Sequence, residues 1–421
     1  MELLQQVRII DPFRQVDRLA DVFISNGKIE QIDDRISNYS SNTKIIEPSG
    51  LVLGTGLVDL YSHSGEPGNE SRETLLELVR AGAAGGFTQI GILPDTTPAL
   101  DNVEIIAAVK NKSNLVKASS DRQLPQLNFW GSAWNIEQQK MNALGELQSE
   151  VIGFATSHNL SNLNVLKQIL EYAQPLSKTI TIALHQNELG SDGVIREGEV
   201  SIRYGMAGTP SYSEAAAIAA VLEMAAEIPV EIHLMRVSTK RGVELIADAK
   251  ARGVNVTAST TWMHLLWNSE AVGSYDPNLR LEPPLGNESD RHAIAEGVRQ
   301  GIIDAIAIDH QAYTYEEKTV AFALAPPGAI GLELALPLLW QKFVATGKWT
   351  AIELWQALSS RPLQCLQQEP KKIVSEHLAD LVLFDPQLNW IANSDNLISA
   401  AVNSPWYKQE ITGKVIKTWV S

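Results

Sequence analysis

Short apolar runs alternate with amphipathic stretches through the middle of the chain. The runs are 57–63 (LVDLYSH), 88–94 (TQIGILP), 127–133 (LNFWGSA), 151–157 (VIGFATS), 179–185 (TITIALH), 230–237 (VEIHLMRV), 254–261 (VNVTASTT) and 303–310 (IDAIAIDH). Each has the length and β-branched content of a buried strand, and helical patterns such as SEAAAIAAVLEMAAEI and KRGVELIADAKARG lie between them. The second of these opens after Ser238-Thr239, good N-cap residues, and closes on Gly253. Eight strand–helix units over about 250 residues predict a (β/α)8 barrel rather than a doubly wound open sheet. No phosphate-binding glycine fingerprint is present, and Gly85-Gly86 reads as a helix end before the second strand.

The two ends of the chain have another rhythm. QVRII, ADVFISNGKIEQI and TKIIEP near the start, and ADLVLFD and EITGKVIKTWV near the finish, read as short strands, with a hairpin turn at Ser25-Asn26-Gly27. One small β-unit built from both termini is the simplest arrangement, a sandwich of residues 1–53 and 369–421 beside a barrel of residues 54–368. Many barrel runs end on a polar or ionisable residue: His63, Ser157, His185, Arg236, Thr261, Asp309 and His310. Such positions line the C-terminal mouth, where barrel enzymes place their chemistry.

Composition narrows the function classes. Of 421 residues 44% are hydrophobic, and 34 Lys and Arg against 49 Asp and Glu leave a net charge of −15. That balance disfavours nucleic acid and anionic membranes as partners, and the acidic excess reads as a solvated surface. The single cysteine, Cys365, has no partner for a disulfide or thiolate metal site, which suits a reducing compartment. With no secretory signal and no run of about 18 apolar residues, a cytoplasmic location is expected.

With the strand ends aligned, the chain resembles the dihydroorotases of the amidohydrolase superfamily, of the type akin to allantoinases and hydantoinases. Residues 56–68 read GLVDLYSHSGEPG, similar to the family's GLIDxHxHxREPG. Residues 201–214, RVSTK at 236–240, DAIAIDH at 304–310, and the ending ADLVLFDP at 379–386 resemble further family segments. The resemblance spans essentially the whole chain. It implies two divalent metals at the mouth, a bridging hydroxide that attacks a cyclic amide carbon, and a carboxylate that shuttles the proton.

Position by position, the implied roles are only partly filled. Tyr61 stands at the first histidine of the strand-one pair, and His63 keeps the second. The bridging aspartate of strand four falls on Ala155-Thr156-Ser157-His158, which has no carboxylate. His185 is retained, Arg236 replaces the strand-six histidine, and Asp309 keeps the proton-shuttle position. In the substrate pocket, Gly65 replaces an arginine, Asp95 and Glu282 replace asparagines, and His264 persists in a changed TWMHL context. With a guanidinium where a metal should sit, an Arg236–Asp309 ion pair is expected.

The resemblance therefore implies a homologue tied to pyrimidine biosynthesis that lacks catalysis and bound cofactor. It would be homo-oligomeric and a structural or regulatory partner of aspartate carbamoyltransferase, with Asp309 idle. The alternatives are an active dihydroorotase or related hydrolase with one Zn²⁺ or another divalent ion on His63, His185 and Asp309, and a small-ligand sensor whose Asp95 and Glu282 favour cationic or hydrogen-bonding ligands. Strand alternation from Arg236 points His233 outside the barrel. His310 either orients the strand-eight loop or serves packing, Glu66-Pro67 shapes the first loop, and the 262–267 stretch, with Trp262 and Trp267, reads as a plug over the pocket.

Overall fold

The computed structural model describes residues 1–421 apart from 47–49, 121–122, 136–137, 139, 157–161, 185–186 and 191–192, and the side chains of 187 and 188. Ser157, His158 and His185 thus lie outside the described residues.

Strands from both termini share one sheet. Its order runs Glu410–Trp419, Leu381–Ile391, Val52–Thr55, Glu2–Asp11, Val16–Ser25, Lys28–Asp33, with Lys44–Ile46 added in parallel to Glu2–Asp11. The hairpin between Val16–Ser25 and Lys28–Asp33 turns on Asn26 and Gly27, both at positive φ (51° and 74°), the backbone that a two-residue turn between right-twisted strands demands. This unit has its own core, including Leu4, Val7, Ile24, Leu53, Leu383 and Trp419.

Each of the eight apolar runs coincides, to within a few residues at its ends, with a strand of a second, parallel sheet: Leu57–Ser62, Phe87–Ile92, Gln126–Ser132, Gly153–Thr156, Thr179–Ala183, Ile232–Met235, Val256–Thr261 and Ala305–Ala307. They are referred to below as strands one to eight. The helices between them stop and start where local chemistry directs. Leu75–Ala84 opens on a Thr74/Glu77 capping box and closes at Gly85, and Lys240–Ala251 opens on the Thr239 hydroxyl.

The barrel closes between strands one and eight through backbone and side-chain bonds together. Asp309 N–H donates to Tyr61 O at 3.1 Å and His63 N–H to His310 O at 2.9 Å. Below them the fully buried Asp59 accepts Ile308 N–H at 2.8 Å and the Ser62 hydroxyl at 2.5 Å. Burial pushes the Asp59 carboxyl up to about 7. Inside, bulky Trp130, Tyr61 and Met235 alternate with Ala155, Ala305 and Ala307, and Cys365 packs in the same cluster. Large side chains facing small ones fill the barrel as a core. No helix among the described residues is long and apolar enough to cross a membrane.

Candidate active site

Strands six and eight stop abruptly, and the residues that stop them face one another. Arg236 (φ 57°) and Asp309 (φ 53°) both adopt the left-handed backbone that side-chain-bearing residues rarely take. Paired strain of this kind collects at ligand and active sites. The guanidinium makes a two-pronged contact: Nε donates to Asp309 Oδ2 at 2.7 Å and Nη2 to Oδ1 at 2.6 Å. The expected ion pair is therefore formed.

His63 and Asp95 extend the pair into a quartet. His63 Nδ1 lies 2.5 Å from Asp95 Oδ2, while Nε2 lies 3.0 Å from Arg236 Nη2 and 3.4 Å from Asp309 Oδ1. Two carboxylates and one guanidinium leave a net negative charge that a protonated imidazole neutralises. Burial opposes that proton, but Asp95 and Asp309 outweigh it and push His63 up to about 9. Burial likewise opposes ionisation of Asp309, yet Arg236 and His63 hold it well below the usual carboxylate range. The four side chains are 12–19% exposed, so solvent reaches the quartet from the mouth.

Beneath the quartet runs a hydrogen-bond chain in which every proton can be placed. Thr257 donates to Ile232 O (3.4 Å), so its oxygen accepts from His233 Nδ1–H (2.9 Å). His233 is neutral, because burial and then Lys250 push it down to about 3. Its Nε2 therefore accepts from the Ser259 hydroxyl (2.8 Å), which accepts from Tyr61 O–H (2.9 Å), which accepts from Arg236 N–H (3.0 Å). One tautomer satisfies all the links. Tyr61 thus anchors the strained backbone of Arg236, and its ring lies 5.6 Å from the guanidinium carbon.

This chain corrects the placement of His233. The side chain lies inside the barrel, 2% exposed and 6.4 Å ring to ring from Tyr61. Alternation counted back from Arg236 fails because strand six ends at Met235 and Arg236 leaves the pleat; His233 and Met235 share the inner face.

The remaining expected residues disperse. A side chain at Gly65 would run into the backbone of Asn69 and Glu73, so this position faces its own loop and not the mouth. Glu282 is exposed, ahead of a cis bond to Pro283, and no bond joins it to the quartet. His264 is buried: Nε2–H donates to Pro283 O (3.1 Å) and Nδ1 accepts from Thr261 (2.7 Å), while burial and then Arg196 push it down to about 4. It fastens a loop. The Trp262 ring, 1% exposed, packs 5.0 Å from that of Trp406, and Trp267 lies 5.8 Å from the same ring.

His310 proves structural in its contacts. Its Nδ1 accepts from Gly331 N–H (3.1 Å) and its Nε2–H donates to Glu73 (3.1 Å), which also accepts from Ser399 (3.1 Å). Sequence reasoning passed over Ser259, Thr257 and Glu73. The polar alternation of Thr257, Ser259 and Thr261 along one strand was the available signal for the first two; Glu73 offered none.

Three comparisons bear on this mouth. The family model described as Dihydro-orotase-like matches residues 50–242. A probable dihydroorotase-like protein of Synechocystis sp. is 40% identical, with 99% of this chain and 98% of the relative covered. The dihydroorotase of Syntrophus aciditrophicus is 32% identical, with 99% and 97% covered. Among solved structures, the L-hydantoinase (dihydropyrimidinase) from Arthrobacter aurescens superposes with a TM-score of 0.85 at 18% identity, over 100% of this chain and 96% of that one. A D-hydantoinase from Thermus sp. gives 0.80 at 19% identity, over 100% and 94%. At those identities the structural likeness speaks for the fold: a TIM barrel of the hydantoinase type with a β-sandwich domain.

Proposed function

The chain belongs to the dihydroorotase-like family of amidohydrolases, and from that premise we propose that it has exchanged metal-dependent ring opening for a structural or regulatory role. The partner proposed is aspartate carbamoyltransferase, which would place the protein beside pyrimidine synthesis without a catalytic step of its own. The observation that carries this reading is Arg236, whose guanidinium contacts both oxygens of Asp309 and approaches His63.

Among the described residues, those at the mouth do not fit a pair of divalent ions. Both Asp309 oxygens and His63 Nε2 already face one permanent cation, and a dication among them would meet strong repulsion in a partly desolvated mouth. His63 Nδ1 is engaged by Asp95, and its Nε2 faces Arg236 Nη2. Tyr61 holds the first ligand position as a neutral phenol, because burial and then Asp309 raise it above its usual range. No step is therefore written through a metal.

A second reading keeps one ion on His63, His185 and Asp309. Its support is the 3.4 Å approach of His63 Nε2 to Asp309 Oδ1, which two ligands of one ion could share once Arg236 swings away.

One experiment separates the two. Protein equilibrated with excess zinc or manganese and desalted should hold no stoichiometric metal, interconvert neither dihydroorotate nor carbamoyl aspartate, and co-sediment with aspartate carbamoyltransferase. About one equivalent of metal, lost in Asp309→Ala, together with turnover, would establish the second reading instead.

A further inference from the structure

Four large apolar side chains among the described residues are at least 70% exposed, and three of them stand on loops around the barrel mouth. They are Ile202 (82%), Leu324 (79%) and Tyr315 (70%). Tyr275 and Val320, also exposed, belong to the same loops, which follow strands five, seven and eight. Single exposed apolar residues are ordinary, whereas a set gathered on one rim marks a contact surface.

The loops are fastened to one another. Arg203 pairs with Glu270 at 3.0 Å and the Tyr275 hydroxyl donates to Tyr204 O at 3.0 Å, which joins the loops after strands five and seven. The Lys318 ammonium donates to Pro277 O (3.2 Å) and Pro326 O (2.7 Å), and Gly328 N–H donates to Arg280 O (2.8 Å), which joins the loops after strands seven and eight. A rim already held in one arrangement has little conformational entropy to lose on docking.

Charge selects what covers it. Within residues 193–210, 262–287 and 311–328, Glu197, Glu199, Glu270, Glu282 and Glu316 are exposed. The one exposed cation there, Arg203, is already engaged by Glu199 and Glu270. A symmetric contact between two copies would set this acidic frame against itself, and facing like charges oppose association. The complement is a basic frame around an apolar centre.

We propose that the mouth rim is a docking face for a protein that presents arginine or lysine around an apolar patch. This rests on the scaffold reading above and adds the face used, which places the partner over the mouth and its quartet.

The test titrates aspartate carbamoyltransferase against the full chain and two variants by sedimentation. I202D/L324D puts charge at the apolar centre and E282K/E316K reverses two charges of the frame; all four substitutions replace exposed side chains. A wild-type complex that weakens as NaCl rises from about 50 to about 500 mM is expected. Each variant should lose about 10-fold or more in affinity, because an interface centre does not tolerate a new charge and its frame does not tolerate an inverted one. A complex undiminished in I202D/L324D overturns the face and leaves the scaffold reading standing. One undiminished in E282K/E316K, or indifferent to salt, overturns the basic complement. No complex with the wild type overturns the scaffold reading and this inference with it. Self-association of the wild type that I202D/L324D abolishes would show that a second copy covers the rim instead.

Discussion

Two histidine–carboxylate pairs sit at the ends of adjacent barrel strands, and they behave as opposites. His310 and Glu73 have side chains 1% exposed each, with both ring nitrogens and the carboxylate bonded into the scaffold. His63 and Asp95 are 14% and 19% exposed, and their outer neighbour is a guanidinium already engaged with another acid. The first pair has one arrangement that satisfies every atom. The second belongs to a charged group of four whose balance depends on a proton. Completeness of bonding, more than residue type, separates a strut from a responsive site.

The largest effect should come from breaking the strut. Glu73→Ala leaves His310 Nε2–H and the Ser399 hydroxyl unanswered in a dry interior, and a loss of about 3 kcal/mol is expected. Thermal or urea unfolding measures it. A loss below about 1 kcal/mol would mean that water or a shifted side chain completes the pair and that the contrast is weaker than drawn.

The responsive pair should show itself as pH dependence. His63 is raised from 6.5 to about 9, so its stabilising contribution is complete below about 6.5 and is lost as pH rises through about 9. At most about 3 kcal/mol is involved, following 1.36 kcal/mol for each pH unit of displacement. Unfolding midpoints should therefore decline between pH 6.5 and 9, and Asp95→Asn should flatten that decline. A slope unchanged in Asp95→Asn would assign it to other groups.

A smaller effect tests whether the buried chain supports the charged quartet. Tyr61→Phe removes the acceptor for Arg236 N–H and the donor to Ser259, and a cost of about 1–2 kcal/mol is expected. Its effect should shrink in an Arg236→Gly background, because glycine takes the left-handed backbone without Tyr61. Strict additivity in that double-mutant cycle would show that Tyr61 does not position Arg236.

Much of this was legible in advance, for identifiable reasons. The eight strands were visible because a strand buried on both faces must be a short apolar run, and the terminal unit because its runs alternate around a turn at Asn26-Gly27. Arg236 and Asp309 were foreseeable as partners, since a retained buried acid needs a cation once its histidine neighbour is gone. His233 was misplaced because alternation holds only while the chain remains in the pleat, and the left-handed turn at Arg236 breaks the count. Gly65 and His264 were carried to the mouth by alignment, whereas their loops fold one against its own backbone and the other against Pro283.

Local periodicity and residue chemistry therefore determined the barrel, the two-ended β-unit, and the identities of the charges at the mouth. The runs themselves depend on near neighbours in the chain, although the terminal unit pairs Leu53 with Leu383. Only the tertiary structure decided which nitrogen of His63 meets which acid, that Asp59 closes the seam, and that Ser259 and His233 stand beneath Tyr61. These are contacts between residues 26 to 249 positions apart, and they exist because barrel closure brings the ends of distant strands to one mouth.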